Sequence, residues 1–237
     1  MHKQWIKDGL SEYLSDAHAV WHMPGHKRQV EDFENPFLID ITEIDGFDNL
    51  HHPEGILKEA QERAAEVYGS GSTYFLVNGS TCGILSAVSA LVRPGGEIGL
   101  ARNCHKASYH ACYLGDLVIH SLYPQWEPVF GINGGILPED VEKLLEEYPK
   151  TQAVLITSPT YDGAVSDVKR IAEICHAHGI PLIVDEAHGA HLGFCPYFPE
   201  SALNLGADVV IQSFHKTLPS FTQTAVLHVS KSARVNE

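Results

Sequence analysis

Ser213-Phe214-His215-Lys216-Thr217 gathers two hydroxyls, an imidazole and an amine within five residues. The run before it, Ala207-Asp208-Val209-Val210-Ile211-Gln212, is largely apolar and β-branched and reads as a buried strand. Ligands of open α/β sheets sit beyond the carboxyl ends of the strands. An amine placed there, with its pKa lowered by partial burial, is suited to Schiff-base chemistry. A solvated loop lysine is the ordinary alternative. Lys216 therefore gains meaning only from what else the chain sends to that edge.

Three further groups qualify. Asp185-Glu186-Ala187-His188 follows the apolar run Pro181-Leu182-Ile183-Val184, and Arg102-Asn103-Cys104-His105-Lys106 follows Glu97 to Ala101. Asn78-Gly79-Ser80-Thr81 joins the strand Tyr74-Phe75-Leu76-Val77 to an apolar helix running from about Cys82 to Val92. A Gly-Ser-Thr turn at a helix N-terminus is either an anion site, through free N–H groups and the helix dipole, or a plain Ser/Thr cap. Met23-Pro24-Gly25-His26-Lys27 is a turn set between histidines, and it is equally a loop over a site or a polar surface turn.

The elements that must position these groups alternate along the chain. Trp5, Ile6, Leu10 and Leu14 share one face of a short helix, and Glu54 to Tyr68 is amphipathic with Gly69 as its stop. Further helices are expected up to Leu114, over Pro138 to Tyr148 and over Asp167 to His178. Strands are expected at Leu117 to Leu122, at Ala153 to Ile156 (before the turn Thr157 to Gly163) and at Thr224 to Val229. Tyr123 to Gly135 reads as a long loop. Seven strands with helices between most of them define an α/β fold, a doubly wound and mostly parallel sheet. Ser80, Thr81, His105, Asp185, His188, Ser213, His215 and Lys216 all fall at strand carboxyl ends, which scattered core or surface residues would not do.

Composition narrows the function classes. The chain has 237 residues and a net charge of −14, with no cluster of Lys and Arg to meet a phosphate backbone. Nucleic acid and anionic membrane are not expected partners. No apolar run approaches membrane-spanning length, and residues 1–10 lack the apolar core of a signal peptide. Five scattered cysteines without a Cys-x-x-Cys pair suit free thiols in a reducing cytoplasm. No Gly-Lys dipeptide accompanies Asp185-Glu186-Ala187-His188, so a helicase is excluded, and no Gly-x-Gly-x-x-Gly follows a strand, so a nicotinamide-binding fold is too. Asp185, His188 and His191 have a metal-like spacing, but a strand-end loop gives no reason for them to converge, and no metal is expected.

Taken in order, Met23 to Lys27, Thr42-Glu43 with Asp45-Gly46, Leu76 to Thr81, Arg102 to Lys106, Pro159 to Gly163, Asp185 to Gly189 and Ser213 to Leu218 resemble the Orn/Lys/Arg decarboxylase family of pyridoxal-phosphate enzymes. The 31 residues from Asp185 to Lys216 also fit two successive strands joined by one crossover. The resemblance implies the aspartate-aminotransferase (type I) fold, with helices on both faces of the seven-stranded sheet. It implies an N-terminal segment with an active-site loop (1–50) and a cofactor-binding large domain (51–237). Lys216 would hold pyridoxal 5'-phosphate as a Schiff base, and Asp185 would pair with the protonated pyridine nitrogen. Ser80 and Thr81 would bind the phosphate, helped by Ser213 and His215. His105 would stack on the pyridine face, and His188 would reach the phenolic oxygen or the substrate. The reaction implied is decarboxylation of lysine, ornithine or arginine by a homodimer or higher homo-oligomer. Two departures stand out. Ala107 occupies a position where the family usually has serine, and the chain stops where members continue into a C-terminal small domain; the wing domain of longer members is absent too. The expectation is the cofactor-binding half of a short-form enzyme. Transamination or elimination on the same fold, and a non-catalytic remnant or partner subunit, stay open as alternatives.

Overall fold

The apolar periodicities become, in chain order, α1 (Ile6–Ser15), α2 (Ile56–Tyr68), β1 (Ser72–Leu76), α3 (Gly79–Leu91), β2 (Glu97–Ala101), α4 (Lys106–Leu114), β3 (Val118–Leu122), β4 (Trp126–Glu127), β5 (Ile132–Asn133), α5 (Pro138–Glu147), β6 (Thr151–Thr157), α6 (Val168–Ala177), β7 (Leu182–Asp185), β8 (Val209–Ser213), α7 (Phe214–Thr217) and β9 (Ala225–Val229). The computed structural model describes residues 6–15, 19, 21–28, 38 and 40–234. Local chemistry sets the helix limits. Gly69 ends α2 in the left-handed conformation, Pro138 opens α5 ahead of Glu139 and Asp140, and Asp167 caps α6 by accepting the Arg170 N–H. Asp48 accepts the N–H groups of Glu54, Gly55, Leu57 and Lys58 at the start of α2, and these bonds hold its carboxyl well below the usual carboxylate range.

Seven strands form one sheet in the order β1-β9-β8-β7-β6-β2-β3, parallel except at both edges of β9. Side chains alternate across it. Ile183 and Ile211 join the core under α3 and α4, while Val184 and Val210 join the core under α5 and α6. Helices thus cover both faces, as expected of a buried parallel sheet.

Local details refine these expectations. α3 begins at Gly79, ahead of Cys82, so Ser80 and Thr81 lie inside its first turn. The loop 123–135 contains a small antiparallel hairpin, β4 with β5. The crossover from β7 to β8 is built of turns, in keeping with its Gly and Pro residues. In α1, Leu10 and Leu14 are exposed, while Trp5 lies outside the described residues. Among the described residues no helix is long and apolar enough to cross a membrane.

Candidate active site

Ser80, Thr81, His105, Asp185, His215 and Lys216 line one cavity of about 320 Å³ at the carboxyl edge of the sheet. β1, β2, β7 and β8 run parallel, so their ends arrive together although their sequence positions span more than half the chain. This convergence is the decisive property of the site.

At its floor, Asp185 is the last residue of β7 and is buried, accepting the Ala187 N–H at 3.1 Å. Burial pushes its carboxyl above the usual range, against the pull of Lys216 and His105. Lys216 is half-buried on the short helix α7, and burial pushes its amine below the ordinary lysine range while Asp185 opposes that shift. Each group would gain its charged form if the other were charged, yet desolvation outweighs the attraction in both. A cation bound against Asp185 would therefore be strongly favoured.

Lys216 Nζ lies 3.0 Å from His188 Nε2. Burial, then Lys216 and His215, pushes His188 down to about 4, so its imidazole is neutral near pH 7. A neutral ring with Nδ1–H leaves Nε2 as an acceptor for the amine. Tyr161, from the turn after β6, meets His188 edge-on, with ring centroids 5.5 Å apart. The third member of the metal-like spacing, His191, instead packs edge-on against Phe198 at 4.7 Å.

The opposite wall is the N-terminus of α3. Asn78 precedes it in the left-handed conformation (φ 68°), and no side chain caps the helix. The Ser/Thr cap alternative is thus not realised, and Gly79, Ser80 and Thr81 of the uncapped first turn line the cavity, a place where free N–H groups favour an anion. Ser213 is fully buried and lies below this turn, donating its hydroxyl to Ser80 Oγ at 2.9 Å. His215 points its Nδ1 at the Thr224 carbonyl, 3.1 Å away. With Nδ1–H donating there, Nε2 can donate to an anion only when it carries a second proton. His105 is the N-cap of α4: its Nδ1 accepts the Ala107 N–H at 3.2 Å, and burial lowers its pKa despite Asp185. Only the Ala107 backbone takes part in this bond, so serine is not needed for it.

Two contributors escaped the sequence. Gln223 lines the cavity from a positive-φ turn (φ 74°) between α7 and β9, and nothing in its surroundings marked it. Asn78 lines the cavity too, where the sequence pattern shows only a turn. The Pro24-Gly25 turn docks on the lysine-bearing turn. Gly25 N–H donates to the His215 carbonyl at 2.7 Å, and Lys27 Nζ closes the loop on the His22 carbonyl at 2.7 Å. A methyl group on Gly25 would overlap the Leu218 carbonyl oxygen. Gly25→Ala is therefore expected to undock the loop and weaken cofactor binding roughly tenfold, about 1.4 kcal/mol. Fluorescence titration against wild type checks this, and equal affinity would show the contact to be incidental.

Sheet order, parallel strands and a lysine–aspartate pair at the carboxyl edge define the type I fold of pyridoxal-phosphate enzymes. The chain belongs to the Orn/Lys/Arg decarboxylase family: the family's major-domain model matches residues 6–237. It is 42% identical to uncharacterized protein YaaO of Bacillus subtilis, over 91% of this chain and 46% of that protein. It is 39% identical to an arginine decarboxylase of Halalkalibacterium halodurans, over 93% of this chain and 47% of that one. The structure superposes on constitutive lysine decarboxylase of E. coli with a TM-score of 0.61 and 24% identity, covering 75% of this chain and 28% of the other. The chain spans about half the length of the curated relatives it matches.

Proposed function

We propose that the protein decarboxylates a basic amino acid with pyridoxal 5'-phosphate, and that arginine is its best substrate. The observation that carries this reading is the meeting of Lys216, Asp185 and the uncapped α3 N-terminus at one cavity. Family membership supports it, as do the names of the relatives: arginine decarboxylases at 36–39% identity, against 28% for an ornithine and 24% for a lysine decarboxylase.

The residues suit the group. The α3 first turn with Ser80 and Thr81 takes a phosphate, and buried Asp185 needs a cationic partner, which a protonated pyridine nitrogen provides. Lys216 supplies an amine for the aldehyde carbon. When bound, the cofactor provides an electron sink that eases breaking a bond at the substrate's α-carbon. Asp185 would hold the proton on the pyridine nitrogen so that this sink persists. His105, at the cavity wall, would offer its imidazole plane to the ring. His188 accepts from Lys216 Nζ and keeps the amine oriented and able to part with a proton. Residues 51–237 form the cofactor-binding domain in this reading, and the docked loop of residues 23–27 braces the turn bearing Lys216. The active form is a homo-oligomer working in the cytoplasm.

Two measurements test the reading. Carbon dioxide release from labelled arginine, ornithine and lysine should be fastest with arginine; an oxo acid formed without carbon dioxide would point to transamination. Borohydride reduction of the cofactor-loaded protein, followed by peptide mass spectrometry, should place the pyridoxyl group on Lys216. An adduct on Lys106 or Lys27 would refute that assignment. A protonated amine cannot attack, so capture slows below the lysine's pKa. Because burial lowers that pKa, rapid capture should extend to lower pH than for an exposed lysine.

A further inference from the structure

Behind the cavity, on the other face of the sheet, lies a buried polar chain that the chemistry above does not use. Alternation sends Asp185 and Ser213 toward α3, and their neighbours Glu186 and Gln212 the opposite way. Glu186 is 1% exposed. Its carboxylate accepts the Ala202 N–H at 2.7 Å, the Ser201 hydroxyl at 2.8 Å and the Gln212 amide nitrogen at 2.6 Å. Among the described residues none of the ion pairs involves it, so hydrogen bonds alone compensate its charge. Gly189 leaves it room, since a side chain there would overlap Glu186 Cγ.

Donor counting orders the rest. A carboxylate only accepts, so Gln212 must turn its NH₂ toward Glu186 and its oxygen toward His228 Nε2, 3.2 Å away. That oxygen also only accepts, so Nε2 must carry the hydrogen. His228 is fully buried and pushed down to about 3, so it stays neutral and its Nδ1 is bare. Nδ1 then accepts from Thr73 Oγ1 at 2.7 Å, and Thr73 Oγ1 accepts from the Ser70 hydroxyl at 2.8 Å. The protons of Gln212, His228, Thr73 and Ser70 along this chain are thereby ordered by one carboxylate. Tyr68 of α2 links the chain to the site: its ring lies 4.7 Å from His228 and stacks on Phe214, the first residue of the turn carrying Lys216, at 5.8 Å.

We propose that Glu186 is a positioning residue for the cofactor site: through Gln212 and His228 it sets the proton order of the buried chain and so fixes the end of β7, which bears Asp185, and the end of β8, from which α7 carries Lys216. This rests on the reading that the cavity holds pyridoxal phosphate. Glu186→Gln is isosteric but places an NH₂ among donors. Rotation of the Gln212 amide relieves the conflict, and His228 must then accept at Nε2 and carry its proton on Nδ1.

The test uses the intact protein labelled with ¹⁵N-histidine, at pH 8.5. Burial pushes Glu186 up to about 7, so it is ionised there, while the facing Tyr68 (about 12) and His228 are neutral. Long-range ¹H–¹⁵N spectra, assigned by the signal lost in His228→Gln, should show Nε2–H in wild type and Nδ1–H in Glu186→Gln. Thr73→Val should keep Nε2–H, because the order is set from the Glu186 end. Absorbance titration should show pyridoxal-phosphate affinity about tenfold weaker in Glu186→Gln. Nδ1–H in wild type, or in Thr73→Val, overturns the proposed order, and this remains decisive if Glu186→Gln does not fold. Unchanged affinity in Glu186→Gln overturns the positioning role while leaving the cofactor reading intact. A wild-type protein with the expected tautomer that binds no pyridoxal phosphate rejects that reading instead, and with it the positioning role.

Discussion

Turnover of the intact protein is expected to fall by ~10³-fold or more in Lys216→Ala, combining loss of the nucleophilic amine with loss of a positioned proton carrier. Lys216→Arg should do no better. A guanidinium stays protonated throughout the accessible pH range and cannot attack an aldehyde carbon. The distinction matters because both variants could still hold the cofactor's phosphate at the α3 N-terminus, which Lys216 does not form. Loss of covalent capture with residual reversible binding is therefore the expected signature. Adding a small primary amine to Lys216→Ala should restore part of the turnover, since the space vacated by the side chain can admit it and the amine supplies the missing base. Steady-state rates with arginine, with and without the added amine, check the prediction. Wild-type turnover in Lys216→Ala would remove the lysine from the chemistry altogether.

Much of this arrangement was legible because strand ends declare themselves. The β-branched runs before Lys216 and Asp185 fixed both residues at the carboxyl edge, and β2 was read with its observed limits, Glu97 to Ala101. Direction was harder to read. The antiparallel run of β9 between two mutually parallel strands depends on chain reversal after α7, which no period-two pattern encodes. Roles set by neighbours were hidden as well. Ser213 sits in the same motif as Lys216, yet its hydroxyl is buried and donates to Ser80, because alternation and burial decide what each hydroxyl meets. Gln223 enters through turn geometry, and Gly25 through a backbone contact with a residue 190 positions away. Glu186, beside the most conspicuous carboxylate in the chain, faces away from it and joins a network whose members share no motif.

Asp185→Asn is expected to lower turnover roughly a hundredfold, about 3 kcal/mol, while most cofactor affinity survives. The side chain is 3% exposed and closes the bottom of the cavity, so an isosteric amide keeps the shape and can still accept the Ala187 N–H. What it loses is charge. A carboxylate opposite the pyridine nitrogen favours the protonated ring by direct attraction in a site where water is scarce, whereas an amide oxygen offers only a dipole. Desolvation already pushes the Asp185 carboxyl upward, so its negative charge is held at a cost that a cationic ring nitrogen would offset. The same cost predicts a second effect. With the carboxylate gone, Lys216 loses the attraction that opposes its desolvation, and its amine should become a still weaker base. The acid limb of the cofactor-capture profile should therefore move to lower pH in Asp185→Asn, even as turnover drops. Stopped-flow capture rates across pH, read beside steady-state turnover, separate the two effects. A limb that moved upward, or turnover equal to wild type, would show that another group holds the pyridine proton and that Asp185 only fills space beneath it.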